Sequence, residues 1–366
     1  MKLLTIASLA ASASALGLPL LNFPKDRTSS VGTAWNVRKF SNLITFGDSY
    51  TDENRLNYFL QHNGQAPPVG TVLPMSFSTA SGGVTWGRWV SIYSKAKYYD
   101  YAVSGAFCDN SYALRYISNG NIQFPFPDVM GYEIPAFLAD TKYINPKTRT
   151  NTVYTDRRAD NTVYALWIGT NDLGNGAFLT DSNFPGTTIT NYTDCIFKAF
   201  DEIYSAGGRN FVLMNLAPLQ LSPQYNINGT GPTHYFPDKG NGTEVGYKML
   251  EYTTLVNSLF SYQVPYELHV KGRYPGAAFA IYDVHSLITD IFNNPSQYLN
   301  GTSPLNVTGY YHHCDLSGNN CYDLPGASLD SFLWYDELHP SERVDQIIAE
   351  NFIDIVKGRS KYATYW

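Results

Sequence analysis

The chain is poor in charge: Asp, Glu, Lys and Arg make up 15% of its 366 residues, 25 basic against 31 acidic, for a net −6. That balance leaves no basic footprint for nucleic acid and no polybasic surface for anionic lipid. Beyond the first residues there is no run of eighteen apolar residues, so no membrane anchor is expected. The chain also lacks a G-x-S-x-G elbow, an H-E-x-x-H pair, internal repeats and any low-complexity tract outside its N-terminus. An α/β-hydrolase site and the familiar zinc patterns are thereby excluded, and no metal or cofactor is expected. With 44% apolar residues, low charge means a large buried core rather than disorder.

What is present first concerns compartment. Lys2, then the apolar run Leu3 to Ala11, then Ala13-Ser14-Ala15 have the order of a secretory signal peptide. Residues 1–15 are expected to be removed, residues 16–37 to form a leader or a packed arm, and the protein to be secreted. N-x-S/T triplets at Asn191, Asn228, Asn241, Asn300 and Asn306 fit glycosylation, most of them in Gly/Asn/Pro-rich stretches. In an oxidising compartment the four cysteines can pair. Cys314 and Cys321 are close enough to close a tight loop. Cys108 would then join Cys195, although two buried free thiols explain that pair nearly as well.

Short apolar runs at 42–46, 98–103, 162–168, 210–216 and 277–283 are predicted to be buried strands. Helix-like spacing occupies 87–96, 133–143, 188–206, 244–270 and 341–356, with a kink or break at Pro265 and a stop at Gly207-Gly208. Alternation of the two implies an α/β fold: a doubly wound, three-layer (α/β/α) sandwich around a mainly parallel sheet of about five strands. Residues 38–366 are read as one domain, with loop insertions near 217–243 and 293–332. Functional groups should gather beyond the carboxyl ends of the strands.

Four short segments stand at those ends. Gly47-Asp48-Ser49 follows the first strand and exposes a hydroxyl near the N–H groups of a helix start. Gly105 follows the second and can turn its N–H toward the same point. Gly169-Thr170-Asn171-Asp172 follows the third, where Asn171 offers a side-chain donor for an oxyanion. Near the C-terminus, Asp336-Glu337-Leu338-His339 places a carboxylate and an imidazole within one turn, so the first can orient the second as base for a serine. Taken alone, each segment is better explained as a cap or a turn. Together they supply a nucleophile, an oriented base and oxyanion donors in one chain order.

In these four blocks, over residues 41–366, the chain resembles the SGNH (GDSL-type) hydrolases, which have a flavodoxin-like fold. The resemblance implies Ser49 as nucleophile, Asp336 and His339 completing the triad, and an oxyanion hole made by the N–H groups of Ser49 and Gly105 with Asn171. Tyr50 departs from the leucine that the GDSL pattern carries, which bears on pocket shape more than on chemistry. Leu166 to Gly174 and Tyr282 to Leu287 are similar to the fungal extracellular branch, which includes the acetylesterases of carbohydrate esterase family sixteen. The expected activity is therefore release of short acyl groups, chiefly acetyl, from plant cell-wall carbohydrate or xylo-oligosaccharides by a monomer. The rivals are a lipase or phospholipase on longer chains and a carbohydrate-binding protein on an inactive scaffold.

Other polar residues receive duller readings. His285, His312 and His313 are expected to make structural hydrogen bonds rather than bind metal. Asp48, Asp52 and Asp172 are expected to hold loops.

Overall fold

A computed structural model describes residues 35, 37, 39–119, 122–229 and 231–366, all of which belong to one compact unit. The expected signal peptide and most of the arm at 16–37 lie outside the described residues. Trp35, near the arm's end, is buried, and its indole N–H donates to the Ile355 carbonyl at 2.8 Å.

The five apolar runs form strands β1 (Asn42–Gly47), β2 (Lys97–Asp100), β3 (Thr162–Trp167), β4 (Asn210–Met214) and β5 (Ala278–Tyr282). All pair in parallel in the spatial order β2-β1-β3-β4-β5, the flavodoxin-like order. A sixth strand, β6 (Ala363–Tyr365), adds antiparallel to β5, so the sheet has six strands rather than about five.

Alternation along each strand builds two cores, because successive side chains leave opposite faces. Ile44, Phe46, Tyr164, Leu166, Phe211, Leu213, Phe279 and Ile281 pack on one face. Against them lie α1 (Arg55–Gln61), α3 (Ile134–Lys142), α4 (Ile189–Ser205) and the C-terminal part of α5 (Gly242–Pro265). Leu43, Val163, Ala165, Trp167, Val212, Met214, Ala280 and Tyr282 face the other way, onto α2 (Trp86–Ser94), α6 (Val284–Asn293) and α7 (Glu342–Val356). Burial on both faces is why these strands read as continuous apolar runs.

At Pro265 the α-helical hydrogen bonding breaks off, as expected. This proline is the last α-helical residue, and a π turn over Tyr266–Val270 prolongs the helix to the expected end. The two stretches expected to be insertions differ in content. That at 217–243 is loop with a 3₁₀ turn at Leu219–Leu221, whereas the one at 293–332 carries a strand, Asn306–Tyr310, and a hairpin, His312–Cys314 with Cys321–Asp323.

Cys314–Cys321 clips that hairpin, and Cys108–Cys195 joins the loop after β2 to α4. Asn191, Asn228, Asn241 and Asn300 are exposed, whereas Asn306 is half-buried, its Oδ1 accepting from the N–H groups of Thr308 and Gly309. Asn191 lies in the first turn of α4 and Asn241 caps α5, so both occupy helix starts rather than open loops.

Candidate active site

In this strand order β1 lies between β2 and β3, and chains leave it and its neighbours in opposite directions. The crevice so formed is where doubly wound sheets present ligand-binding groups. Ser49, Gly105 and Asn171 follow β1, β2 and β3 into it. Gly47 makes the close approach possible: its φ is +148°, and a Cβ there would sit 2.1 Å from the Trp167 carbonyl oxygen. The buried Glu133 braces the same strand end, accepting from Gly47 N–H at 2.9 Å and Val103 N–H at 3.2 Å.

Ser49 does not open a helix as expected. It occupies a single turn in which the N–H groups of Thr51 and Asp52 both donate to the Asp48 carbonyl at 2.9 Å, and α1 begins only at Arg55. From the far end of the chain, the turn before α7 brings His339 to it. His339 Nε2 lies 2.7 Å from Ser49 Oγ. On the other side of the ring, Nδ1 is 2.8 and 2.9 Å from the two oxygens of Asp336. The N–H groups of Leu338 and His339 donate to Asp336 Oδ1 at 2.9 and 2.7 Å, so the Asp-x-x-His spacing folds into a turn that orients its own imidazole.

Electrostatics follow this geometry. Burial pushes the Asp336 carboxyl up, but the charge and hydrogen bonds of His339 with the Leu338 N–H outweigh it and hold Asp336 below its usual range. Burial likewise pulls the His339 imidazole down, yet Asp336, with Asp48 and Glu337 behind it, leaves it above its ordinary value. Asp48 itself is raised to about 7 by burial and by the Asp172 charge, against the opposing pull of the Tyr50 N–H and His339.

Asn171 Nδ2 is buried and has no acceptor among the described residues, a costly state unless an acceptor arrives with a ligand. Gly105 holds φ at +86°, and a Cβ there would strike the Phe126 ring at 2.3 Å, so only glycine shapes this loop without strain. Asp172 accepts from Cys108 N–H at 2.8 Å and from the Tyr112 hydroxyl, fixing the loop that carries Asn171. Asp52 does similar work, accepting from the N–H groups of Arg55, Leu56 and Ser104. Next to Gly105, Ser104 helps line a recess of about 130 Å³ with Asp52, Asn54, Asn57, Ser78 and Thr79.

Two residues at the site, Glu133 and Tyr235, escaped the sequence reading, and a third, Tyr50, was read there only for its bearing on pocket shape. Glu133 appeared there only as a helix start. Tyr50 packs edge-on against both Trp167 and His339, and Tyr235 donates to Asp336. The three histidines expected to play structural parts have other partners: His285 Nδ1 is 3.3 Å from Asn257 Nδ2, His312 Nδ1 is 2.7 Å from Asp323, and His313 Nε2 is 3.1 Å from the Tyr310 carbonyl. His312, Cys314 and Cys321 lie close together, but the disulfide occupies both sulfurs.

Residues 43–352 match the GDSL-like Lipase/Acylhydrolase family. An acetylesterase of Hypocrea jecorina is 48% identical over 332 residues, 89% of this chain and 92% of its own length. One from Thermothelomyces thermophilus is 25% identical over 324 residues, covering 86% and 88%. With the doubly wound fold and Ser49, His339 and Asp336 in contact, the chain belongs to the GDSL-like lipase/acylhydrolase family.

Proposed function

We propose that this protein is a secreted serine esterase that removes acetyl groups from carbohydrate. The observation that carries the reading is the contact of 2.7 Å between His339 Nε2 and Ser49 Oγ, with Asp336 behind Nδ1. His339 takes the Ser49 proton as Oγ attacks the ester carbonyl. The oxyanion is then met by Asn171 Nδ2 and by the N–H groups of Ser49 and Gly105. As the C–O bond to the sugar breaks, His339 returns its proton to the leaving alcohol and the acetyl group stays on Ser49. Water, deprotonated by His339, attacks that acyl-enzyme; as the bond to Oγ breaks, His339 returns the proton to Ser49 and acetate leaves.

Support for acetyl and for sugar is of two kinds. Relatives along nearly the whole chain are named acetylesterases, and the recess beside Gly105 is lined mainly by polar groups suited to hydroxyls. Secretion is supported by the signal-like residues 1–15 and by two disulfides, and glycosylation by four exposed acceptor asparagines. The test is kcat/KM for p-nitrophenyl acetate against palmitate, with acetate release from acetylated xylo-oligosaccharides. Preference for acetyl and release of acetate are expected. Preference for palmitoyl would move the reading to a lipase.

A further inference from the structure

The insertion at 217–243 does more than decorate the domain. Its Tyr235 hydroxyl lies 3.0 Å from Asp336 Oδ2, the oxygen that His339 Nδ1 also reaches at 2.8 Å, and its ring stands edge-on to the imidazole with centroids 5.5 Å apart. Several anchors hold it there. Phe236 is buried in the core, Gln224 N–H donates to the Glu337 carbonyl at 2.7 Å, and Asn175 Nδ2 donates to the Tyr235 carbonyl at 3.0 Å. His234 Nδ1 lies 2.7 Å from Glu337 Oε1, and the disulfide-clipped hairpin backs that ring: a Cβ on Gly318 would sit 3.5 Å from it.

Building on the proposed roles of Ser49, His339 and Asp336, we infer that Tyr235 is a positioning residue, whose O–H fixes the Asp336 carboxylate and thereby the approach of His339 Nε2 to Ser49. Asp336 Oδ1 has two backbone donors, whereas among the described residues Oδ2 has only the imidazole and this hydroxyl. Burial and the nearby carboxylate push the phenol well above its usual range, so it remains a donor. Without it, Oδ2 concentrates its charge on the imidazole and the imidazolium is stabilised. The other groups facing the pair are Asp48, Glu337 with its partner His234, Tyr50, Tyr310 and Tyr335, none of which the substitution alters.

The experiment is Tyr235→Phe in the full protein, which keeps the ring and removes the hydroxyl, assayed for kcat and KM on p-nitrophenyl acetate across pH. Thermal melting checks the fold, and Ser49→Ala run alongside reports separately on the reading beneath. The acid limb of kcat/KM should move up by about half to one pH unit, part of the roughly one to two units that a hydrogen bond to a charged group is worth, because the bond is lost at Asp336 and the imidazole feels it through that carboxylate. At a pH on that limb kcat should fall several-fold while KM stays within about two-fold. A pH profile superimposable on that of the parent would overturn the inference.

Discussion

The Tyr50 hydroxyl donates to the Leu338 carbonyl at 2.8 Å, tying the residue after Ser49 to the residue before His339. Two segments nearly the whole chain apart are thus joined one residue away from their reacting atoms. The leucine expected at this position in GDSL proteins has no such donor.

Tyr50→Phe is therefore expected to leave a buried carbonyl without its partner, costing about 1–3 kcal/mol and lowering the melting temperature by a few degrees. It should also reduce kcat more than it changes KM, because it loosens the distance between base and nucleophile. Tyr50→Leu should cost more, since it also removes the edge contacts to Trp167 at 5.0 Å and His339 at 5.6 Å. Thermal melts with steady-state kinetics check both.

Asn171→Ala should lower kcat by roughly 10²- to 10³-fold with little change in KM, the scale of one lost oxyanion donor. Because Nδ2 has no acceptor among the described residues, the substitution should cost little stability or even add some. A rise in KM alone would reduce Asn171 to a binding residue.

Asp48→Asn carries a signed pH dependence. Asp48 titrates near 7 when folded but near an ordinary carboxyl value when unfolded, so between about pH 4 and 7 the folded state holds the extra proton. Stability of the parent is then lost as pH rises through that window, and the neutral variant is spared this loss. The variant should gain on the parent across the window, by a few kcal/mol at most on the order implied by such a shift, and hold that gain above pH 7. Since Asp48 also raises His339, the acid limb of kcat/KM should move to lower pH in the variant. Denaturant melts at pH 4 and 8 and a pH–rate profile read these two effects.

Non-reducing peptide mapping should recover Cys108 linked to Cys195 and Cys314 linked to Cys321. The first bridge spans 87 residues and the second 7, so removing the first should cost about 2–5 kcal/mol and the second less. A peptide joining Cys108 to Cys314 would contradict the pairing.

What was legible in the sequence follows from the range of each signal. The strands at 42–46 and 162–168 were readable because burial on both faces makes a continuous apolar run, a local property. Asp336 and His339 were readable because their contact closes within three residues, and Ser49 because it follows a strand. By contrast, Tyr235 meets Asp336 across 101 residues from an aperiodic loop, so no local pattern announces it. Glu133 sits in a π turn that resembles an ordinary helix start, and β6 has three residues, too few to show a period. The helix expected right after Ser49 begins at Arg55 because the strand end is spent on a separate tight turn.

In the proposed reaction Ser49, activated by His339, carries the acyl group. That role is tested most directly by turnover of p-nitrophenyl acetate by purified Ser49→Ala, His339→Ala and the double variant, each shown to be folded by melting. Both single variants are expected to lose nearly all turnover and the double to be little worse than either, because the pair acts as a unit. Parent-like hydrolysis by folded Ser49→Ala would contradict the account.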